Sequence, residues 1–386
     1  MIALQVLFWL CVGAMVHTYL LYPLSLQLFR RRFAVPPTVQ PGAWPTVAVL
    51  TPAYNEEQVI AAKVANALAL DYPSDKLEVL VGSDGSTDRT NEIVRSIHDP
   101  RLRLIELPGR SGKSGVYNRL VQETRADILV FTDANVMLDP AALRNAVRHF
   151  ADPKVGVVGG GKYILIPEGA ESVRGEATYG GFENRLRTRE SEVGGMSGAL
   201  GSFMAVRRNV YRSYRPGSIN DDTVPSIWAA LAGYRNVHEP DARAFEESGR
   251  TVSEEFRRRI RIGAGNFQTL FRYRNVLNPR YGVVAYTYFS HKVLRWVFPF
   301  FMLAAFVVNL FLLHDPFYRV IFWAQVLFYG VAVLGFLLDR LQMRVPLVST
   351  VYHFTALNLA LFIGFFVYCR GVTTSAWEPT KHETSP

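Results

Sequence analysis

Cysteine is nearly absent from this sequence: Cys11 and Cys369 are the only two among 386 residues. So wide a spacing provides neither paired metal ligands nor the disulfide framework of a small secreted domain. Two nucleotide-binding motifs are also missing. No G-x-G-x-x-G follows a strand pattern, and residues 109–114 lack the first glycine of a P-loop because position 107 is leucine. Lys113 in this glycine-rich segment can still contact a phosphate as a point charge.

Charged residues are missing from four long apolar stretches. Residues 2–29 contain none and are followed at once by three arginines; the runs 296–313, 320–338 and 345–367 also lack Asp, Glu, Lys and Arg. Because about 20 apolar residues span a bilayer, we predict one transmembrane helix over residues 1–29 and three more over residues 281–370. The arginines at 30–32 place the following segment on the cytoplasmic side. The side of the C-terminal tail, residues 371–386, stays open.

The net charge of +9 comes from 42 basic and 33 acidic residues. Arginines cluster beside the apolar stretches, which favours membrane lipids over nucleic acid as their partner. In residues 251–280, Phe256, Ile260, Phe267 and Phe271 share one helical face, and the six arginines at 257, 258, 259, 261, 272 and 274 supply the charge. We predict a basic amphipathic helix at the membrane surface, with a solvated basic helix as the alternative.

A proline-rich linker over residues 30–45 leads into a domain that we predict over residues 46–250. Strand patterns at 46–50, 77–81, 102–107 and 128–131 alternate with helical spacing at 57–70, 88–97 and 115–125. This alternation predicts an α/β fold with a doubly wound, mostly parallel sheet. Parallel strands end at one edge of a sheet, where such folds bind ligands. We therefore expect the polar turns at 55–56, 84–85 and 133–135 to converge on a nucleotide.

Asp133 and Asn135 follow the apolar strand at 128–131. Two residues apart on an extended chain, their side chains point the same way. A carboxylate and an amide oxygen suit a hard cation that also binds phosphates. The alternative is an ordinary turn that closes the strand.

Six short motifs stand in order along the domain. They are PAYNE at 52–56, SDGS at 83–86, GK at 112–113 with Asn118, TDAN at 132–135, GS at 201–202 and NDD at 220–222. Each is weak alone, but the ordered set resembles the family 2 glycosyltransferases with the GT-A fold. The apolar flanks are similar to those of the membrane-embedded bacterial polysaccharide synthases.

The resemblance implies a role for individual residues. Asp84 would contact a uracil-type base, and Asp133 with Asn135 would hold Mg or Mn against the donor's diphosphate. Gly201 and Ser202 would bind the acceptor. The full set implied for the nucleotide sugar is Pro52, Ala53, Tyr54, Glu56, Asp84, Gly85, Lys113, Asn118 and Asp133.

Asp222 matches the general base of the family. An acceptor hydroxyl needs a carboxylate within hydrogen-bond reach to take its proton, and attack opposite the leaving group inverts the anomeric centre. Aspartate is also common at helix N-caps, and residues 223–233 have a helical pattern. One of Asp221 and Asp222 can therefore cap while the other catalyses, and we prefer Asp222 as the base.

The sequence departs from the family pattern in three motifs. Ser83 replaces the first aspartate of an acidic pair, and Asn135 replaces the second carboxylate of D-x-D, which should weaken metal binding. The Q-x-x-R-W motif of processive synthases is replaced at residues 258–262, where Ile262 offers no aromatic face to an acceptor sugar. Arg258 and Arg261, one helical turn apart, can instead reach the donor's diphosphate.

We therefore predict a membrane-bound inverting glycosyltransferase that moves a sugar from a nucleotide sugar, most simply a UDP-sugar, to a lipid-linked or envelope glycan. It would lie in the bacterial inner membrane with its catalytic domain in the cytoplasm. One alternative is a processive exopolysaccharide synthase. Another is a transporter with a regulatory nucleotide-binding domain, which the scarcity of charged residues in the spans disfavours. Whether the protein forms a homo-oligomer stays open.

Overall fold

The computed structural model describes residues 1–28, 44–165, 174–247, 252–341, 343 and 345–371, without the side chains of 174–179, 247 and 252–254. These residues form two compact units. The membrane-helix unit takes its residues from Met1–Ser25, Thr251–Phe271 and Phe289–Val372, and the sheet unit from Leu26–Arg250 and Arg272–Tyr288. Most of the predicted linker, including the arginines at 30–32, lies outside the described residues, as does most of the predicted tail.

The chain alternates between strands and helices in its first half. The strands are β1 (Val47–Ala53), β2 (Leu77–Ser83), β3 (Leu102–Glu106), β4 (Ile128–Phe131), β5 (Val136–Leu138), β6 (Val155–Leu165), β7 (Met204–Arg207) and β8 (Arg235–Glu247). The α-helices are α1 (Ile2–Val16), α2 (Tyr22–Leu28), α3 (Ile60–Leu68), α4 (Thr90–Ser96), α5 (Lys113–Gln122), α6 (Ala142–Val147), α7 (Arg174–Glu192), α8 (Thr223–Leu231), α9 (Val252–Arg272), α10 (Val283–Thr287), α11 (Leu294–Leu310), α12 (Pro316–Arg340) and α13 (Pro346–Cys369). Segments of π-helix at His17–Leu21 and Tyr288–Val293 join α1 to α2 and α10 to α11.

The strands within the described residues form one sheet in the order β3-β2-β1-β4-β7-β6-β8-β5. The four strands from β3 to β4 are parallel, as their alternation with helices predicts. Beyond β4 the sheet is mixed, because β7 runs antiparallel to both β4 and β6, and β5 antiparallel to β8. The predicted α/β class and the four predicted strands are confirmed.

Helices cover both faces of the parallel strands. Ala53 and Val81 pack against Ile60 of α3 and Val94 of α4. Gly82, the next residue along β2, points to the opposite face. A β-carbon there would lie 2.4 Å from a methyl carbon of Val116, so α5 lies against this face at a distance that only glycine permits. This arrangement is the predicted doubly wound one.

Within the described ranges, four helices are long and apolar enough to cross a membrane: Ile2–Leu28, Val283–Leu310, Pro316–Arg340 and Pro346–Cys369. A helix of this kind lies at each of the four predicted spans, and that these helices cross a membrane stays a prediction. The helices extend beyond the charge-free runs and so include charged residues: the second has Lys292 and Arg295 near its middle, and the third has Arg319 near its start and Asp339 and Arg340 at its end. Long basic side chains near a span's end, such as Arg319, are tolerated because they can extend their charge toward the headgroups.

Helix α9 has the apolar face that its sequence predicts. The Phe267 ring lies 5.0 Å from that of Phe365, and Phe271 stacks on Tyr368 at 5.5 Å, both between ring centroids. The face is therefore packed against α13. Its location at the membrane surface stays a prediction.

Candidate active site

The carboxyl ends of three parallel strands lie side by side. Ala53 at the end of β1 pairs with Ser83 at the end of β2, and Leu50 pairs with Phe131 at the end of β4. The turns that follow these strands therefore share one edge of the sheet. These turns contain most of the residues predicted to bind the donor; they converge as predicted, and a nucleotide at this edge stays a prediction.

Asp84 is fully buried at this edge and holds the loop at 109–112. Its carboxylate accepts hydrogen bonds from the backbone N–H of Ser111 (2.6 Å) and of Gly112 (3.0 Å), and from Arg110 Nε (3.3 Å). Gly85 and Gly112 have φ of 72° and 77°, in the left-handed region that favours glycine. The Asp84 carboxylate is thus hydrogen-bonded within the protein. A contact between Asp84 and a nucleobase stays a prediction.

The Tyr54 ring lies beside this loop. The guanidinium carbon of Arg110 is 3.3 Å from the ring centroid, which is a close cation–π contact. Pro52, Ala53 and Glu56 are buried next to Tyr54, and the backbone N–H of Glu56 bonds to Thr90 Oγ1 at 2.8 Å. One face of the Tyr54 ring is therefore occupied by Arg110.

Lys113 lies between two carboxylates at the start of α5. Its Nζ is 2.6 Å from Asp133 Oδ1 and 2.9 Å from Asp221 Oδ2. Burial alone would lower the pKa of Lys113, but the two carboxylates outweigh burial and raise this pKa above its ordinary value. The ammonium is therefore charged at neutral pH and connects the turn after β4 to the start of α8.

Asp222 is the N-cap of α8, and its Oδ1 accepts a hydrogen bond from the Thr223 N–H at 2.7 Å. The cap thus falls on the residue that the sequence favours as the base. Its second oxygen, Oδ2, accepts no hydrogen bond from any residue that the structure describes. Capping therefore leaves one oxygen of Asp222 available for a proton, whereas Asp221 is paired with Lys113.

Gly201 lies among these groups. A β-carbon at this position would be 3.6 Å from Asp222 Cβ, 3.7 Å from Lys113 Nζ and 4.0 Å from Asp133 Oδ2. The three side chains thus surround one small space, which the missing side chain of Gly201 helps to keep open. Both the space and its charges suit small anionic or hydroxylated groups.

Other predicted site residues have structural partners. The amide of Asn118 accepts from the Tyr211 hydroxyl and the Tyr214 N–H, and it donates to the Tyr214 carbonyl. The carbonyl of Ser202 accepts a hydrogen bond from the Thr132 hydroxyl at 2.9 Å.

Arg258 and Arg261 belong to the membrane-helix unit, where Arg258 pairs with Glu255 on the same helix at 3.2 Å. The donor-binding roles of Arg258, Arg261 and Asn118, and the acceptor-binding role of Ser202, stay predictions.

The residues at this edge fit a divalent cation that a donor's phosphates would complete. Asp133 supplies a carboxylate and half-buried Asn135 an amide oxygen. The described ranges contain no cluster of three or more His, Cys, Asp or Glu side chains able to hold a metal. One carboxylate plus substrate phosphates is a usual set for Mg²⁺, and the Lys113 ammonium shows that Asp133 accepts a cation here.

Two basic residues near the site were not predicted, Lys63 and Arg110. Lys63 had a signal: with Ile60, Val64 and Ala67 it forms the i, i+3, i+4, i+7 pattern of a buried helical face. A lysine on such a face is unusual. The contact of Arg110 with Tyr54 joins distant segments and had no local signal.

Residues 48–215 match the family model described as Glycosyl transferase family 2. The chain is 29% identical over 213 residues to the beta-monoglucosyldiacylglycerol synthase of Synechocystis sp.. The aligned region covers 52% of this chain and 44% of that protein. The chain is 26% identical over 234 residues to the poly-beta-1,6-N-acetyl-D-glucosamine synthase of Staphylococcus aureus. The aligned region covers 58% of this chain and 56% of that synthase. The chain thus spans about half the length of the curated relatives it matches.

Among solved structures, the chain is similar to the mannosyltransferase PcManGT from Pyrobaculum calidifontis, in complex with GDP-Man and Mn²⁺. The TM-score is 0.71 at 23% sequence identity, over 94% of this chain and 99% of the other. At this identity the likeness shows the fold, and it confirms the expected GT-A architecture.

Proposed function

Since residues 48–215 form a family 2 glycosyltransferase domain, we propose that this chain is a membrane-bound inverting glycosyltransferase whose donor is a nucleotide sugar, most simply a UDP-sugar. The observation that carries the proposal is the grouping of Lys113, Asp133 and Asp222 around Gly201. The departing diphosphate needs positive charge, and the attacking hydroxyl needs a carboxylate. Both requirements are met within one small space at the ligand-binding edge of the sheet.

Donor binding would use the turns after β1, β2 and β4. Asp133 and Asn135 would hold Mg²⁺ or Mn²⁺, which when bound stabilises the negative charge of the departing diphosphate. Lys113 is close enough to Asp133 to contact a phosphate that approaches this carboxylate. The nucleobase of the donor would lie near Tyr54 and Asp84, where Arg110 adds a cation close to the nucleotide.

Asp222 would act as the general base. Its capping bond fixes the carboxylate through Oδ1, so Oδ2 can take the proton of the acceptor hydroxyl. The deprotonated oxygen forms a bond to the anomeric carbon as the bond to the diphosphate breaks on the opposite side. The anomeric configuration is therefore inverted.

The acceptor would be a lipid or a lipid-linked glycan. Four helices long and apolar enough to span a membrane support an acceptor held at the bilayer, and so does the name of the relative called beta-monoglucosyldiacylglycerol synthase. The arginines at 30–32 support a catalytic domain on the cytoplasmic side.

A processive polysaccharide synthase is the second candidate. The relative named poly-beta-1,6-N-acetyl-D-glucosamine synthase favours it. Ile262, at the place of an aromatic residue in processive synthases, weighs against it, because stacking on a ring helps to retain the growing product.

The direct test is a donor panel. Full-length protein in lipid nanodiscs would be mixed with UDP- and GDP-sugars, membrane lipid and Mn²⁺, and the released nucleotide and labelled lipid measured. We expect transfer from one donor class, loss of transfer in Asp133→Ala, and normal transfer in the control Asp75→Ala, which changes an exposed aspartate. No transfer from any donor would refute the proposal, and full activity of Asp133→Ala in excess chelator would refute the metal role.

A further inference from the structure

Lys63 of α3 has no exposed surface. Within the part of the chain that the structure describes, its Nζ forms no ion pair and donates to Thr132 Oγ1 (3.0 Å) and to the Val136 carbonyl (2.6 Å). Burial lowers the pKa of Lys63 to about 7, although Asp133 acts in the opposite direction. A buried amine without a carboxylate partner is costly, and an apolar side chain of similar length would avoid this cost. Packing alone therefore does not account for a lysine here.

The two acceptors of Lys63 are the two ends of one turn. Thr132 immediately precedes Asp133, and Val136 immediately follows Asn135. The turn is closed by a hydrogen bond from the Val136 N–H to the Asp133 carbonyl at 3.3 Å. One amine thus holds both ends of the turn that carries the two candidate metal ligands.

The same hydrogen-bond chain reaches the other side of the site. Thr132 Oγ1 accepts from Lys63 and donates to the Ser202 carbonyl at 2.9 Å, next to Gly201. Lys63 is therefore connected to the turn at 132–136 and, through one hydroxyl, to the segment that borders the open space of the site.

A second contact of α3 keeps the strand after the turn in place independently of Lys63. The side chain of Asn66 donates to the Leu138 carbonyl (2.9 Å) and accepts from the Leu138 N–H (2.8 Å). Removing the amine of Lys63 would leave this pair of bonds intact. The change would then be confined to the turn that carries Asp133 and Asn135.

We propose that Lys63 is a positioning residue for donor binding, which holds the turn at 132–136 in the shape that presents Asp133 and Asn135 to the metal-bound diphosphate. This inference rests on the proposed function of that turn. Lys63 itself contacts neither the donor nor the cation. It acts through the hydroxyl of Thr132 and the carbonyl of Val136.

The test compares Lys63→Met, which keeps the length of the side chain and removes the amine, with Lys154→Met, which removes an exposed lysine elsewhere. The dissociation constant for Mn²⁺ is measured by electron paramagnetic resonance on full-length protein in nanodiscs, with UDP in one arm and GDP in the other. The melting temperature is recorded in parallel without metal. Loss of a residue that orients metal ligands typically weakens metal affinity by about 10- to 100-fold. We expect at least the lower value for Lys63→Met and no change for Lys154→Met.

The two readouts separate positioning from stability. A purely structural lysine would lower the melting temperature and leave the Mn²⁺ affinity of the folded protein unchanged, and that result would overturn the inference. If Lys63→Met does not fold, Thr132→Val, which removes the shared hydroxyl, is measured instead. We again expect the Mn²⁺ affinity to fall at least tenfold, and an unchanged affinity would overturn the inference. Failure of the wild-type protein to bind Mn²⁺ with either nucleotide would instead refute the proposed function, and with it the role of Lys63.

Discussion

Replacing Asp222 with asparagine separates its capping of α8 from its proposed role as the general base. Asparagine keeps an Oδ1 that can accept the 2.7 Å hydrogen bond from the Thr223 N–H, and it is as good an N-cap as aspartate. The lost negative charge at the start of α8 costs about 0.3–1 kcal/mol. We therefore expect the free energy of unfolding to fall by less than about 1 kcal/mol.

The effect on turnover should be much larger. An amide cannot take a proton from the acceptor, so kcat should fall by about 10²-fold or more. A loss of 10² corresponds to about 2.7 kcal/mol in the activation barrier. Donor affinity should be retained, because the Lys113–Asp133 pair is unchanged. Asp222→Ala should lose the same activity and about 1 kcal/mol more in stability, because the cap is lost as well.

Three measurements decide this prediction. Released nucleotide gives kcat, calorimetry gives the dissociation constant for the donor, and thermal unfolding gives the stability. Normal turnover by Asp222→Asn would refute the assignment of the base. If Asp221→Asn were inactive and Asp222→Asn active, the base would be Asp221. Asp221→Asn should otherwise change donor affinity, because it breaks a 2.9 Å contact with Lys113.

Further predictions concern charge, space, pH and product length. Lys113→Met leaves two facing carboxylates without their cation, so stability at pH 7 should fall on the order of 2 kcal/mol and recover in part with Mn²⁺. Because the folded-state pKa of Lys113 is raised, its stabilising contribution is complete below the unfolded value of 10.5 and is lost only as the pH rises through the higher folded value, so melting curves at pH 7 report all of it. Gly201→Ala adds a methyl group at ordinary contact distances of 3.6–4.0 Å, so the melting temperature should hold while kcat/KM falls about tenfold. Burial alone would raise the pKa of Glu239, but hydrogen bonds from His149 and Arg148 lower it to about 2 from an ordinary 4.5. This depressed pKa gives stability that is present above about pH 4.5 and lost as the pH falls towards 2; Glu239→Gln should remove a dependence on the order of 3 kcal/mol from denaturant titrations over this window. Incubation with labelled donor should yield one or a few added sugars per acceptor, and a ladder of tens of sugars from one binding event would contradict the single-transfer reading.

Local sequence patterns determined the framework of this protein. Alternating apolar runs and helical spacing predicted the four parallel strands and their helices, because such periodicity reflects which side of each element is buried. Long stretches without charge predicted the four spans. The order of short motifs indicated the family, and the polar turns after β1, β2 and β4 predicted the edge of the sheet at which a ligand would bind.

Only the tertiary structure decided which side chains meet. Lys113 was predicted to contact a phosphate, but its pairing with both Asp133 and Asp221 depends on how the start of α8 approaches the sheet. Asp222 turned out to be the cap, and Lys63 to hold the turn after β4. Such contacts join segments far apart in the chain, and their distances follow from packing and strand register. Local propensity carries no information on packing or on strand register, because it reports only on neighbours along the chain.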